Sequence, residues 1–295
     1  AGLNDDAIAH GERLEAQAEE GFFHTAAQRV APQGGDTLLD VSVGRTHLHE
    51  PFTDDTLSAL YCTAKPIVAV AVLRLVAEDE LSLEDRLGDV VDELPASWIA
   101  DRTIEQVLGH TAGLHIVNTI LARILPERSR EGWVDASPPP EGWRFGTDRA
   151  YSEFGGWFML GRVIEALTEE PFDRYVRDAV LDPYGIAADD LVMRIEGADH
   201  ARLSPRISAT LDLTMDQPVP LLAEVGPETA AEWNPSFGAY GTMRAMAAFY
   251  QGLLDDLAGV GNRRHLVQRL AEECARSVRS GQPFALLFID LDGFK

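Results

Sequence analysis

Cysteine is nearly absent from this chain: among 295 residues only Cys62 and Cys274 occur, which excludes a disulfide framework and points to a reducing compartment. Long apolar runs are missing as well. No stretch approaches the ~20 apolar residues that cross a bilayer, and the first residues lack the basic and apolar halves of a signal peptide. A soluble, cytoplasmic protein with no membrane partner is the expectation. Positive charge is scarce, with 25 Lys and Arg against 48 Asp and Glu and a formal net charge of −23. That balance excludes an extended nucleic-acid surface. No internal repeat is present, and neither a metal nor a cofactor is expected.

What is present suits a globular fold, since 45% of residues are hydrophobic and 25% charged, enough for one large or two modest domains. Asp5 to Glu20 reads as an opening amphipathic helix, and Thr37 to Val43 alternates like a strand that Gly44 ends. A helix is expected from Cys62 to about Glu80, then a short acidic turn-and-helix segment from Ser82 to Pro95. Thr103 caps a helix over Ile104 to Leu108, ahead of a turn at His110 to Leu114. Pro126 to Gly146, with Pro138-Pro139-Pro140, reads as a loop. Two packed helices follow, Phe154 to Leu167 and Pro171 to Leu181. Ala187 to Asn234 shows no assignable period. Phe237 to Gly241 is a tight turn into a helix from Met243 to Leu254. The charge then changes sign: residues 259–295 carry six basic against four acidic side chains, +2 against −25 for residues 1–258. That shift marks a boundary, giving units 1–254 and 255–295.

The chemistry centres on Cys62-Thr63-Ala64-Lys65. One helical turn brings thiol and amine together at a helix start, where unpaired N–H groups favour negative charge. Thiolates attack acyl carbons well, and helix N-termini and nearby cations favour them. Lys65 serves as a base if desolvated, or as an electrostatic partner if charged. Tyr151 adds a second acid/base: a nearby ammonium favours its phenolate, so the side chain could take up a proton and shuttle it to a leaving group. His110 reads as the fastener of its turn, and Cys274 as a small buried hydrophobe.

Several blocks, in order, resemble the serine β-lactamase and penicillin-binding-protein-like superfamily, in the branch with class C β-lactamases, DD-peptidases and esterases. Pro51-Phe-Thr-Asp-Asp-Thr56 precedes Cys62-Thr-Ala-Lys65 at the S-x-x-K position. Leu81 to Asp85 resembles the G-x-L-x-L-D-D turn, and Thr103 to Leu114 resembles T-I-R-x-L-L-x-H-T-S-G-L. Trp143 to Leu160 places Tyr151 on the Y-x-N tyrosine. The resemblance covers about residues 20–254. It implies an α+β fold, an antiparallel sheet flanked by helices plus a helical lobe, with the site between them. It also implies Cys62 as the acylated nucleophile, Lys65 as its proton acceptor, Tyr151 as the proton relay and Glu153 at a substrate-binding position.

Three departures stand out. Cysteine replaces serine. Glu153 replaces asparagine, and a carboxylate there tends to keep Lys65 protonated. No K-T-G or H-x-G triplet follows Tyr250, so the strand that helps form the family's oxyanion hole is missing, together with the usual C-terminal strands. In its place, Asp256 to Arg264 and Phe284 to Lys295 are similar to the opening of GGDEF diguanylate cyclase domains. Asp290 matches that family's first metal-ligand aspartate, but one carboxylate makes no magnesium site. Phe284 to Ile289 is expected to pair with the sheet edge that the missing strands leave open.

The expected function is acyl hydrolysis or transfer on an ester, amide or lactam through a thioester on Cys62, with a small-molecule acyl compound or a peptide as partner. The alternatives are an inactive β-lactamase-like ligand-binding or sensor module and a truncated fusion product.

Overall fold

β1 (Ala26–Gln33) and β2 (Asp36–Gly44) pair as antiparallel strands. Ala26 faces Gly44 across the ladder, and the register shifts at Ala31/Pro32, where proline has no N–H to donate. The strand expected from Thr37 to Val43 lies within β2. The computed structural model describes residues 12, 13, 16, 26–33, 36–92, 94, 97–116, 127–212 and 219–259. Of the helix expected over Asp5 to Glu20, only Glu12, Arg13 and Ala16 are described, and they are helical. Residues 260–295, with Cys274, Asp290 and the expected strand Phe284 to Ile289, lie outside the described residues.

The central element is α1 (Lys65–Ala77), entered through a 3-10 turn at Tyr61–Ala64. Pro66 suits the first helical turn, where an N–H would be unpaired anyway. Ile67, Val68, Ala71, Val72 and Leu75 are all buried; a helix that is apolar on most sides belongs inside a core. It stops at Ala77, short of the expected Glu80, and Asp79 turns left-handed at φ 60°. The short α2 (Leu87–Val90) and α3 (Ile104–Leu108) follow. Thr103 caps α3 as expected, accepting from the Gln106 N–H at 3.3 Å while the Gln106 side chain bonds back to Thr103.

The loop expected over Pro126 to Gly146 contains a helix, α4 (Glu127–Asp135). Only Ala136 onward behaves as the sequence suggests. The helix survives its polar composition because Arg130, 5% exposed, donates to the Trp233 carbonyl at 2.8 Å and pairs with Glu232. Next come α5 (Gly155–Thr168) and α6 (Phe172–Val176), the latter running into a π turn at Arg177–Leu181. They are the two packed helices expected, and both lie against α1.

The segment without a readable period holds very short elements: β4 (Leu191–Val192), α7 (Gly197–Leu203), β5 (Ile207–Ser208), β6 (Leu211–Asp212), β7 (Val219–Pro220) and α8 (Pro227–Ala230). With β3 (Leu57–Ala59) and β8 (Tyr240–Gly241), two of them build a four-stranded sheet in the order β4-β8-β3-β5. Only β3 and β5 run parallel. Finally α9 (Met243–Gly259) packs on β1, with the Met243 N–H donating to Gln28 Oε1 at 2.7 Å and Arg244 bridging Asp40 and Asp54. This is the α+β arrangement expected, with the main core between α1, α5 and α6 and a smaller one under the four-stranded sheet. Among the described residues β1 has β2 as its one ladder partner, and no helix is long and apolar enough to cross a membrane.

Candidate active site

Cys62 sits in the 3-10 turn that joins β3 to α1, a half-buried free thiol. The turn is held from both sides. The Leu60 N–H donates to the Ala239 carbonyl at 2.8 Å, tying the turn to β8, and Thr63 returns both its N–H and its hydroxyl to the Leu60 carbonyl. Tyr61, just before the thiol, is left-handed at φ 47°, a strain of about 1–2 kcal/mol for a residue with a Cβ. Its hydroxyl reaches Thr210 Oγ1 at 3.3 Å.

Lys65 opens α1 and is 4% exposed. Its ammonium donates to the Ser236 carbonyl at 3.0 Å and lies 5.3, 5.9 and 6.0 Å from the ring centres of Tyr151, Trp157 and Phe237. Those faces offer a buried cation partial compensation for lost water. Burial lowers its proton affinity below the ordinary lysine range, opposed by the nearby Cys62 and by the Glu153 carboxylate. The Tyr151 phenol is pushed above the ordinary tyrosine range, first by burial and then by Cys62 and Glu153. This corrects the expectation of a favoured phenolate: burial and nearby negative charge outweigh the ammonium at 5.3 Å.

The structure therefore gathers Cys62, Lys65, Tyr151 and Glu153. Burial alternates along Tyr151-Ser152-Glu153-Phe154, with the first and third exposed and the second and fourth buried. Ser152 pins this segment. Its N–H donates to His110 Nδ1 at 2.9 Å, and its hydroxyl donates to the Leu114 carbonyl at 2.7 Å while accepting the Gly156 N–H at 2.8 Å. His110 thus fastens its turn, as the sequence suggests, and holds the Tyr151 loop as well. Its ring centre is 5.1 Å from that of Tyr151. Burial, then Lys65 and Arg149, lower its pKa to about 4, leaving a neutral ring able to accept at Nδ1.

Sequence reasoning missed Ser236. Asn234, fully buried, accepts the N–H groups of Ser236 and Phe237 at 3.1 and 3.3 Å, an Asx turn that presents the Ser236 carbonyl to Lys65. Asn234-Pro235-Ser236 was a readable signal for the turn, but nothing local assigns it to Lys65. Gly161 of α5 lets this loop approach: a Cβ there would lie 2.5 Å from Pro235 Cγ and 2.8 Å from Trp233 Cη2. Both neighbours are rigid. Gly161→Ala is expected to cost about 1–3 kcal/mol, read as a lower urea midpoint, and to displace the Lys65 acceptor.

A model of the Beta-lactamase family matches residues 24–288, running on past residue 254. The chain is 30% identical over 189 residues to Penicillin-binding protein 4 of Amycolatopsis lactamdurans, covering 59% of this chain and 46% of that protein. It is 30% identical over 175 residues to Esterase EstB of Burkholderia gladioli, covering 50% and 41%. The chain thus spans less than half the length of these curated relatives. Its fold is similar to that of EstCE1, a hydrolase with promiscuous acyltransferase activity, at a TM-score of 0.69 and 15% identity, over 84% of this chain and 72% of that one. The family match takes in most of the sequence, and the chain belongs to the Beta-lactamase family.

Proposed function

We propose that the protein is an acyl hydrolase or acyltransferase that carries its acyl group as a thioester on Cys62. The observation that supports it is the placement of the Cys62 thiol one turn before a buried Lys65, whose ammonium lies 5.3 Å from the ring centre of Tyr151. An amine whose proton affinity burial has lowered is suited to take the thiol proton. The sulfur then attacks the acyl carbon, and the bond from that carbon to the leaving oxygen or nitrogen breaks. Tyr151, which keeps its proton, can give it to the leaving group and regain one from Lys65. Water releases an acid from the thioester, while an alcohol or amine gives a transferred acyl product. Glu153 lines the substrate side of this group.

Glu153 also favours a second reading. Its charge raises the proton affinity of Lys65, and a lysine held protonated would make the same cleft a ligand-binding or sensor site without turnover. Residues 255–295 are assigned on their sequence alone to a second unit resembling the start of a GGDEF domain, with α9 carrying the chain across that boundary to Gly259.

Intact-mass measurement after incubation with a β-lactam or an activated ester separates the readings. An adduct on the wild type that Cys62→Ala lacks is expected, with Cys62→Ser as the comparison of nucleophiles. A wild type without an adduct, or an equal adduct on Cys62→Ala, overturns the thioester mechanism.

A further inference from the structure

We infer that the ring of Tyr61 is the binding surface for the acyl group that Cys62 takes up, and that it selects acyl donors with an apolar chain over short ones. The inference rests on the reading of Cys62 as the acylated thiol and names the substrate class for it. Tyr61 stands directly before the thiol in the chain and is 40% exposed. Its backbone is left-handed at φ 47°, a conformation that a residue with a Cβ keeps only where the surroundings enforce it. Here both ends of the residue are held. Leu60 is tied to the Ala239 carbonyl and Thr63 returns to Leu60, while the Tyr61 hydroxyl donates to Thr210 Oγ1 at 3.3 Å. Thr210 is fixed in turn: its N–H donates to Glu224 Oε2 at 2.9 Å, and its carbonyl accepts the Leu221 N–H at 2.9 Å. The ring thus spans from the turn that carries the thiol to the Thr210 segment.

The two exposed tyrosines of the site are used differently. Tyr151 has its ring 5.1 Å from that of His110 and 5.3 Å from the Lys65 ammonium, so it is engaged with the proton-transfer group. Among the described residues no aromatic ring or cation stacks on Tyr61. Its apolar face is open to solvent next to the nucleophile. The chain around Thr210 continues that character, since Val219, Leu221 and Leu222 are exposed as well. Large apolar side chains left in water in one place mark a binding surface. Continuity with the thiol names its occupant, because the acyl chain stays bonded to the Cys62 sulfur, one residue from the ring, after the leaving group has gone. Laying an apolar chain on that ring takes the surface of both out of water.

Three p-nitrophenyl esters with one leaving group and unbranched acyl chains test this: the acetate, the butanoate and the hexanoate. In each case the Cys62 sulfur forms a bond to the acyl carbon, the bond to p-nitrophenolate breaks, and the thiol proton passes to Lys65. Acylation is read in a single turnover by released p-nitrophenolate and by intact mass, and each rate is divided by that of the same ester with a small free thiol. A chain that buries one side gains about twofold per methylene, so the wild type is expected to favour the hexanoate over the acetate by about tenfold or more. Tyr61→Asn removes the ring and tolerates the left-handed backbone; there the ratio should fall to about threefold or less. Tyr61→Phe keeps the ring and loses only the Thr210 contact, and its ratio should stay within about twofold of the wild type. Each ratio is taken within one protein, so a general loss of folded protein cancels.

A wild-type ratio near one, a ratio that Tyr61→Asn retains, or one that Tyr61→Phe loses as fully as Tyr61→Asn overturns the inference, while an adduct from the acetate leaves the thioester reading standing. No adduct from any of the three esters overturns that reading and this inference with it.

Discussion

Lys65→Met is expected to slow acylation of Cys62 near neutral pH by about two to four orders of magnitude, the usual worth of a positioned acid or base. Methionine keeps the unbranched stem in the aromatic surround of Tyr151, Trp157 and Phe237 and removes the group that receives the thiol proton. Stability should change far less. The Ser236 carbonyl loses its donor, a penalty of about 1–3 kcal/mol, but the cost of burying an ammonium disappears at the same time. Lys65→Arg distinguishes the two roles open to this residue. Arginine keeps the positive charge but cannot give up its proton. A base is lost in both variants, whereas an electrostatic partner is lost only in the methionine variant. In the wild type the acylation rate should rise with pH through a range below that of an ordinary lysine, since burial favours the neutral amine. Single-turnover thioester formation followed by mass across a pH series reads all three proteins. A methionine variant that acylates at the wild-type rate would remove Lys65 from the mechanism.

The parts of this site that were legible in the sequence are those that neighbours in the chain decide. Cys62 and Lys65 are three residues apart, and any helical turn brings them together; the 3-10 geometry of Tyr61–Ala64 changes the detail and not the outcome. Thr103 and Gln106 announced their helix by a reciprocal cap that needs nothing distant. The Lys65 acceptor was illegible because Ser236 lies 171 residues away in sequence and only the packing of Trp233 and Pro235 on Gly161 delivers it. Helix α4 was hidden for the same reason. Its segment is polar and sits before a proline run, and its anchor is an arginine that finds Trp233 and Glu232 from a hundred residues away. Tyr151 shows a third kind of failure. Its proximity to Lys65 was foreseeable, but the sign of its response depends on burial, which spacing does not encode.

Acid is expected to destabilise the fold through His110 down to about pH 4, and to unfasten the site once the ring is protonated in the folded protein. The pKa of this ring in the folded protein is about 4, against ~6.5 in an unfolded chain. Between those values the unfolded state binds a proton that the folded state does not, so stability rises with pH across this window and falls on acidification. Nothing further is lost from this group below about pH 4, where both states are protonated. The window is worth roughly 3 kcal/mol in full. Other groups also respond to acid, among them Asp173 and Glu224, whose burial raises them, so the test is a difference between two proteins. His110→Asn is the matched variant: asparagine tolerates the left-handed φ of 57°, and its side-chain oxygen can replace Nδ1 as acceptor for the Ser152 N–H. Urea unfolding at about pH 7 and about pH 4.5 should show the wild type losing about 2–3 kcal/mol more than His110→Asn. Equal losses would place the acid sensitivity elsewhere. The structural consequence is local, because an imidazolium has no lone pair left at Nδ1. Ser152 then loses one of its three fixings, and Tyr151 and Glu153, on either side of it, lose the alignment that sets them against Cys62.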